Sequence, residues 1–287
     1  MTLGYRMAVV GLARNASKTI RLEVSRFHKI LSPICDELSI FIVESDSSDA
    51  TPFILSEIKA DMENFDFRCL GNLDLTLPNR IDRLRFCRNV YVDYLRQFEK
   101  KPNLVFVVDF DIRNWRLEKL MIDQVLSLRD PWDALFANQS GRYYDIFALR
   151  QSEWNPRDCF QELNELRRQG ISRAKELAIW SKMRKIPQDN PLIPVDSAFG
   201  GLGIYRGDVF TSFDYGRIGE SDESEHVHLN QELSRNGYRL FIAPFLINFS
   251  WNSQSLSSFP IIRMLDKFTK KFFVFRLLRR FFRFFIS

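Results

Sequence analysis

Two carboxylates, Asp109 and Asp111, stand one residue apart at the end of the apolar run Val105-Phe106-Val107-Val108. A pair so placed can reach one hard cation, Mn2+ or Mg2+, and that cation can bridge a diphosphate and offset charge building on a leaving group. Such an Asp-x-Asp triplet also occurs on solvated turns, so its meaning depends on the elements that hold it.

Those elements alternate along the chain. Strands are predicted at 5–12, 37–44, 66–70 and 104–109, with helices at 16–31, 51–64 and 80–98 between them. A βαβαβα order implies a parallel sheet covered by helices on both faces. In such sheets ligands bind beyond the carboxyl ends of the strands. The first strand runs into Ala13-Arg14-Asn15, a turn and a guanidinium that suit a phosphate. The second ends at Glu44-Ser45-Asp46, where the acids can accept hydrogen bonds from a base or ribose, and beyond it Asp49 or Thr51 can serve as a helix cap. The helix over 80–98 buries Ile81, Leu84, Tyr91, Tyr94, Leu95 and Phe98 at helical spacing. Arg80 lies at its start, and Arg85, Arg88 and Asn89 share another face, either solvated or facing a phosphate.

The order of motifs resembles the fungal capsule-associated α-1,3-mannosyltransferases. The resemblance rests on Glu44-Ser45-Asp46-Ser47-Ser48-Asp49, Arg80-Ile81 with Arg88-Asn89, and Tyr143 to Arg150. It continues through Pro194 to Tyr205 and Ser224 to Leu229, and covers roughly residues 5–250. It implies a Rossmann-like GT-A glycosyltransferase fold, a divalent metal and a GDP- or UDP-linked sugar donor, with mannose one candidate sugar and α configuration retained. The sequence departs from that family at the metal motif, where its members more often resemble Asn-Asp. On this reading Ala13, Arg14, Asn15, Glu44, Asp46, Arg80, Arg88, Asn89, Phe110, Gly200 and Gly201 bind the donor. Asp145, Asp196 and Glu225 are the candidate catalytic acids, with Asp145 and Asp196 on sugar hydroxyls. His228, with His226 as the alternative, is the candidate third metal ligand beside Asp109 and Asp111. Two histidines two positions apart on a helix point about 200° apart and would not share a cation.

The charge of +5 divides unevenly. Segment 263–287 has eight basic residues and one acid, a net +7, leaving −2 for residues 1–262. A near-neutral body argues against nucleic-acid binding. Within the tail Met264, Phe268, Phe272, Phe275, Leu278, Phe282 and Phe285 recur at helical spacing. This predicts a C-terminal amphipathic helix on an anionic membrane surface, with a packing helix or dimer contact as the alternative. The expected organisation is a catalytic domain over 1–262 and a surface-binding tail over 263–287. The four scattered cysteines read as reduced buried thiols. No stretch reads as a signal peptide or spanning helix, so the expected location is cytoplasmic and peripheral on the inner face of a membrane. The expected acceptor is a glycan or lipid-linked glycan. A nucleotidyltransferase is the second reading, poorly matched by Gly11-Leu12-Ala13-Arg14-Asn15, and a noncatalytic membrane module is the third.

Overall fold

Met7, Ala8, Val9 and Val10 are all buried, because the strand they open, β1 (Arg6–Ala13), is covered on both faces. It pairs in parallel with β2 (Glu37–Glu44) on one side, and β3 (Phe65–Cys69) lies beyond β2. The computed structural model describes residues 4–250, so the amphipathic tail expected over 263–287 lies outside the described residues.

Helices α1 (Ile20–Leu31), α2 (Thr51–Asp61) and α3 (Arg80–Arg96) connect these strands to one another and to β4 (Leu104–Asp109), which pairs in parallel with the other edge of β1. The second half of the chain adds α4 (Lys119–Ser127), β5 (Ala134–Gln139), α5 (Cys159–Arg168), α6 (Ala174–Ala178), β6 (Ile193–Pro194), β7 (Leu202–Arg206), α7 (Gly207–Thr211), α8 (Glu225–Arg235) and β8 (Leu240–Phe249). All described strands join one eight-stranded sheet in the order β3-β2-β1-β4-β7-β5-β8-β6. β7 runs antiparallel between β4 and β5, and β6 runs antiparallel on the edge beside β8. The result is the mostly parallel α/β sheet that the alternating pattern predicts. No helix among the described residues is long and apolar enough to cross a membrane.

The two-residue period of the strands divides the core. Val9, Ile40, Ile42, Phe106 and Val108 pack on the side that carries Val24 and Phe27 of α1 and Leu55 of α2. Val10, Phe41, Val43, Val105 and Val107 pack on the other side, with Tyr91 and Leu95 of α3 and Leu229 and Leu233 of α8. Consecutive residues of β4 therefore serve opposite layers. Cys35, Cys87 and Cys159 are buried free thiols, whereas Cys69, expected to be buried, is exposed.

The first helix begins four residues later than its apolar pattern suggests. Ala16 N donates to Thr51 Oγ1 at 2.8 Å, and Thr19 N and Ile20 N both donate to Ala16 O at 2.9 Å, so 16–19 is spent on a turn tied to α2.

Candidate active site

β4 delivers Asp109 to the carboxyl edge of the sheet, between β1 and β7. Its backbone N donates to Gly201 O at 3.0 Å. Its side chain turns toward α3, where Arg88 Nη2 is 3.4 Å from Asp109 Oδ1. Arg88 is buried, and its other nitrogens are also engaged. Nε donates to Glu225 Oε1 at 2.8 Å and Nη1 to the Tyr91 hydroxyl at 3.1 Å. The guanidinium carbon lies 5.4 Å from the Phe199 ring centre and 5.6 Å from that of Tyr215, within cation–π range.

Charge crowds this corner. Burial pushes the Asp109 carboxyl up to about 7; Arg88 opposes the shift, while Asp111, Asp145 and Glu225 add to it by repulsion. Asp111 stands at the solvent-facing lip, yet desolvation raises its carboxyl too, against the pull of Arg80 and Arg88. Asp145 is raised by burial, against hydrogen bonds from Gly200 N at 3.1 Å and Ala148 N at 3.3 Å. Gly200 and Gly201 take φ of +69° and +85°, and a Cβ on Gly200 would stand 2.7 Å from Ala137 O. Only glycine fits that turn, which lets one peptide segment hold both Asp145 and Asp109. Tyr144, whose hydroxyl is raised first by burial and then by Asp145, Asp109 and Asp111, completes the wall.

Among the described residues, no three His, Cys, Asp or Glu side chains form a group able to hold a metal. Asp109 and Asp111 are oxygen donors that suit a hard cation, which commonly takes its remaining ligands from substrate phosphate and water. The donor set therefore fits a cation that completes its shell from outside the chain rather than a closed protein cage. His228 does not join it: its Nδ1 lies 3.6 Å from Glu220 Oε1, beside Gly216. His226 turns inward instead. Its ring stacks on Phe199 at 3.6 Å, and neither nitrogen has a hydrogen-bond partner. Burial first, then Arg88, hold it neutral. Packing along α8 thus corrects the third-ligand expectation for both histidines.

The loops that follow β1 and β2 are laced together. Asn15, at φ 52°, accepts from Ser48 N at 2.8 Å, and its own N donates to Ser47 Oγ at 2.9 Å. Glu44 Oε1 accepts from Ser47 N at 3.1 Å. Asp46, at φ 59°, accepts from Asp74 N at 2.9 Å and lies 3.7 Å from Arg83. Ala13 is buried, with its carbonyl accepting from Ser45 N at 3.4 Å. Arg14 is exposed, with Nε donating to Asp46 O at 3.2 Å. Arg80 is exposed at the start of α3 and attracts Asp111.

Four further expected site residues are engaged by the protein's own packing. Phe110 is fully buried on the α1 side, 6.2 Å from Phe27, because strand alternation sends it away from Asp109. Asn89 clamps a loop, accepting from Tyr215 N at 2.8 Å and donating to Gly216 O at 3.1 Å. Asp196 is exposed and bonded to Ser234 Oγ at 2.9 Å, and Ser234 lies about 13.5 Å along α8 from Glu225. Arg88 is enclosed by protein partners and positions carboxylates rather than presenting a free fork to a diphosphate.

Sequence reasoning missed the tyrosines. Tyr91, read only as a core residue, lies one turn from Arg88 and donates to the Tyr215 hydroxyl at 2.9 Å. The i, i+3 spacing could have linked Tyr91 to Arg88; Tyr215, more than a hundred residues away, carries no local signal.

No family model and no curated protein matches the sequence. Solved structures do. A mannosyltransferase from Pyrobaculum calidifontis, PcManGT, in complex with GDP-Man and Mn2+, aligns with a TM-score of 0.53 at 14% identity, covering 92% of this chain and 62% of its own. TarS 1–349 from S. aureus aligns at 0.47 and 14% identity, covering 85% and 60%. Glucosyl-3-phosphoglycerate synthase from Mycobacterium tuberculosis, with Mn2+, UDP and phosphoglyceric acid, aligns at 0.42 and 13%, covering 86% and 68%. The chain spans about three fifths of the length of the first two. The likeness to the first is one of fold, and the fold is of the GT-A type.

Proposed function

We propose that the protein is a metal-dependent glycosyltransferase that moves a sugar from a GDP- or UDP-linked donor to a glycan or lipid-linked glycan. The observation that carries this reading is the gathering of Asp109, Asp111, Asp145 and Glu225 around Arg88 at the carboxyl edge of a GT-A sheet. Asp109 and Asp111 are the residues that would hold Mn2+ or Mg2+, which would offset charge on the departing nucleotide. Arg14 and Arg80 stand exposed at the lip to meet phosphate charge. Asp145, which accepts from Gly200 N, would orient a sugar hydroxyl, and Glu225 would act on Asp109 through Arg88.

Mannose as the sugar, retention of α configuration and kinship with the capsule-associated mannosyltransferases rest on the sequence resemblance. A catalytic unit over 1–262, with 263–287 holding it on an anionic membrane at the cytoplasmic face, completes the reading. The test is release of GDP or UDP from a panel of nucleotide sugars with Mn2+ and with EDTA. One donor should be consumed only with Mn2+, and NMR of the product should show an α anomeric centre. Consumption of no donor, or equal rates in EDTA, overturns the reading.

A further inference from the structure

Tyr91 and Tyr215 are fully buried, so neither can meet a substrate, yet their hydroxyls continue the hydrogen-bond chain that reaches Asp109. Tyr215 lies in the loop between α7 and α8, whose position α3 fixes residue by residue. Asn89 takes Tyr215 N and Gly216 O, Asp82 Oδ1 takes Gly219 N at 2.8 Å, and Arg85 donates to Ser221 O at 2.6 Å and Ser221 Oγ at 2.7 Å. The rings of Tyr91 and Tyr215 meet edge to face at 5.8 Å, which leaves the two hydroxyls little freedom. Phe199, the second ring beside Arg88, precedes the glycine pair that holds Asp145 and Asp109. The planar fork of Arg88 is thus aimed by groups on its far side before it touches a carboxylate.

We propose that Tyr215, Tyr91 and Arg88 form a positioning relay that ties the Asp109 carboxylate to the loop over 215–221. The inference rests on the glycosyltransferase reading and adds residues to its machinery that touch neither donor nor acceptor. A carboxylate aimed this way presents its oxygens without reorganisation when the nucleotide arrives, and small misplacements at such sites cost rate steeply.

The Tyr91→Phe variant removes one oxygen and keeps the ring packing. It should lower kcat about tenfold with donor KM changed less than twofold. Mn2+ affinity, read by electron paramagnetic resonance in the presence of GDP or UDP, should weaken about fivefold. Arg88→Lys keeps the charge but loses the fork, and should lose more. In the Arg88→Lys background, Tyr91→Phe should have no further effect, because the two act as one unit. Wild-type kcat and Mn2+ affinity in Tyr91→Phe, with only the melting temperature lowered, would make the hydroxyl structural and overturn the relay. Multiplicative losses in the double variant would overturn it equally. If the wild type binds no Mn2+ with either nucleotide, the glycosyltransferase reading fails and the relay fails with it. Binding that is strong and identical in every form sinks the relay alone.

Discussion

Arg88 Nε and Glu225 Oε1 are 2.8 Å apart, with each side chain only 4% exposed. A pair this enclosed contributes little net stability, but losing one member strands the other charge, which costs about 3–5 kcal/mol. Arg88→Met should therefore lower unfolding stability by about that amount. Arg88→Met with Glu225→Gln should recover part of the loss. Urea denaturation of the three proteins reads this directly. A single variant as stable as the wild type would mean that water reaches the pair.

Asp109 sets a pH dependence of definite sign. Burial pushes its carboxyl in the folded protein up to about 7, above the ordinary carboxylate value of 3.8. Between those values the folded state holds a proton that the unfolded state has released, so Asp109's contribution to stability falls as pH rises through that window. A cation needs the carboxylate, so binding of Mn2+ with GDP or UDP should strengthen from pH 6 to 8 and release a proton. Calorimetry in two buffers of different ionisation enthalpy measures that release. A flat profile identical to that of Asp109→Asn would contradict it.

The parallel half of the sheet was legible because its strands are covered on both faces and read as unbroken apolar runs; β2 and β4 match their expected bounds. The Asp109–Asp111 pair was legible for the same reason, since its position follows from the run before it. What the chain hides is set by distant packing. Arg85 and Arg88 occupy the polar face of an amphipathic pattern, yet α8 and the loop before it cover that face and bury both. Helical spacing separates His226 from His228 without telling which one turns inward. Asp196 looked like a sugar ligand from its motif, and only the line of α8 shows that it bonds Ser234 in solvent.

The tail makes a separate forecast. Each basic residue near an anionic bilayer contributes about 1 kcal/mol, screened by salt, while inserted phenyl rings add a part that salt does not remove. The full chain should float with anionic liposomes and loosen in high salt, and Phe→Ser changes at Phe272, Phe275 and Phe282 should remove the remainder. A chain ending at residue 262 should stay behind and still consume donor. Equal flotation of both forms, or of neither, would reassign 263–287 to packing.

The most direct measurement is nucleotide release from the preferred donor by wild type, Asp109→Asn and Asp111→Ala, each with Mn2+ and with EDTA, with circular dichroism to confirm folding. Release should require Mn2+ in the wild type and fall at least a hundredfold in both folded variants, in line with the loss of one preorganised charge-stabilising group. Wild-type rates in either folded variant, or in EDTA, would contradict a cation held by Asp109 and Asp111.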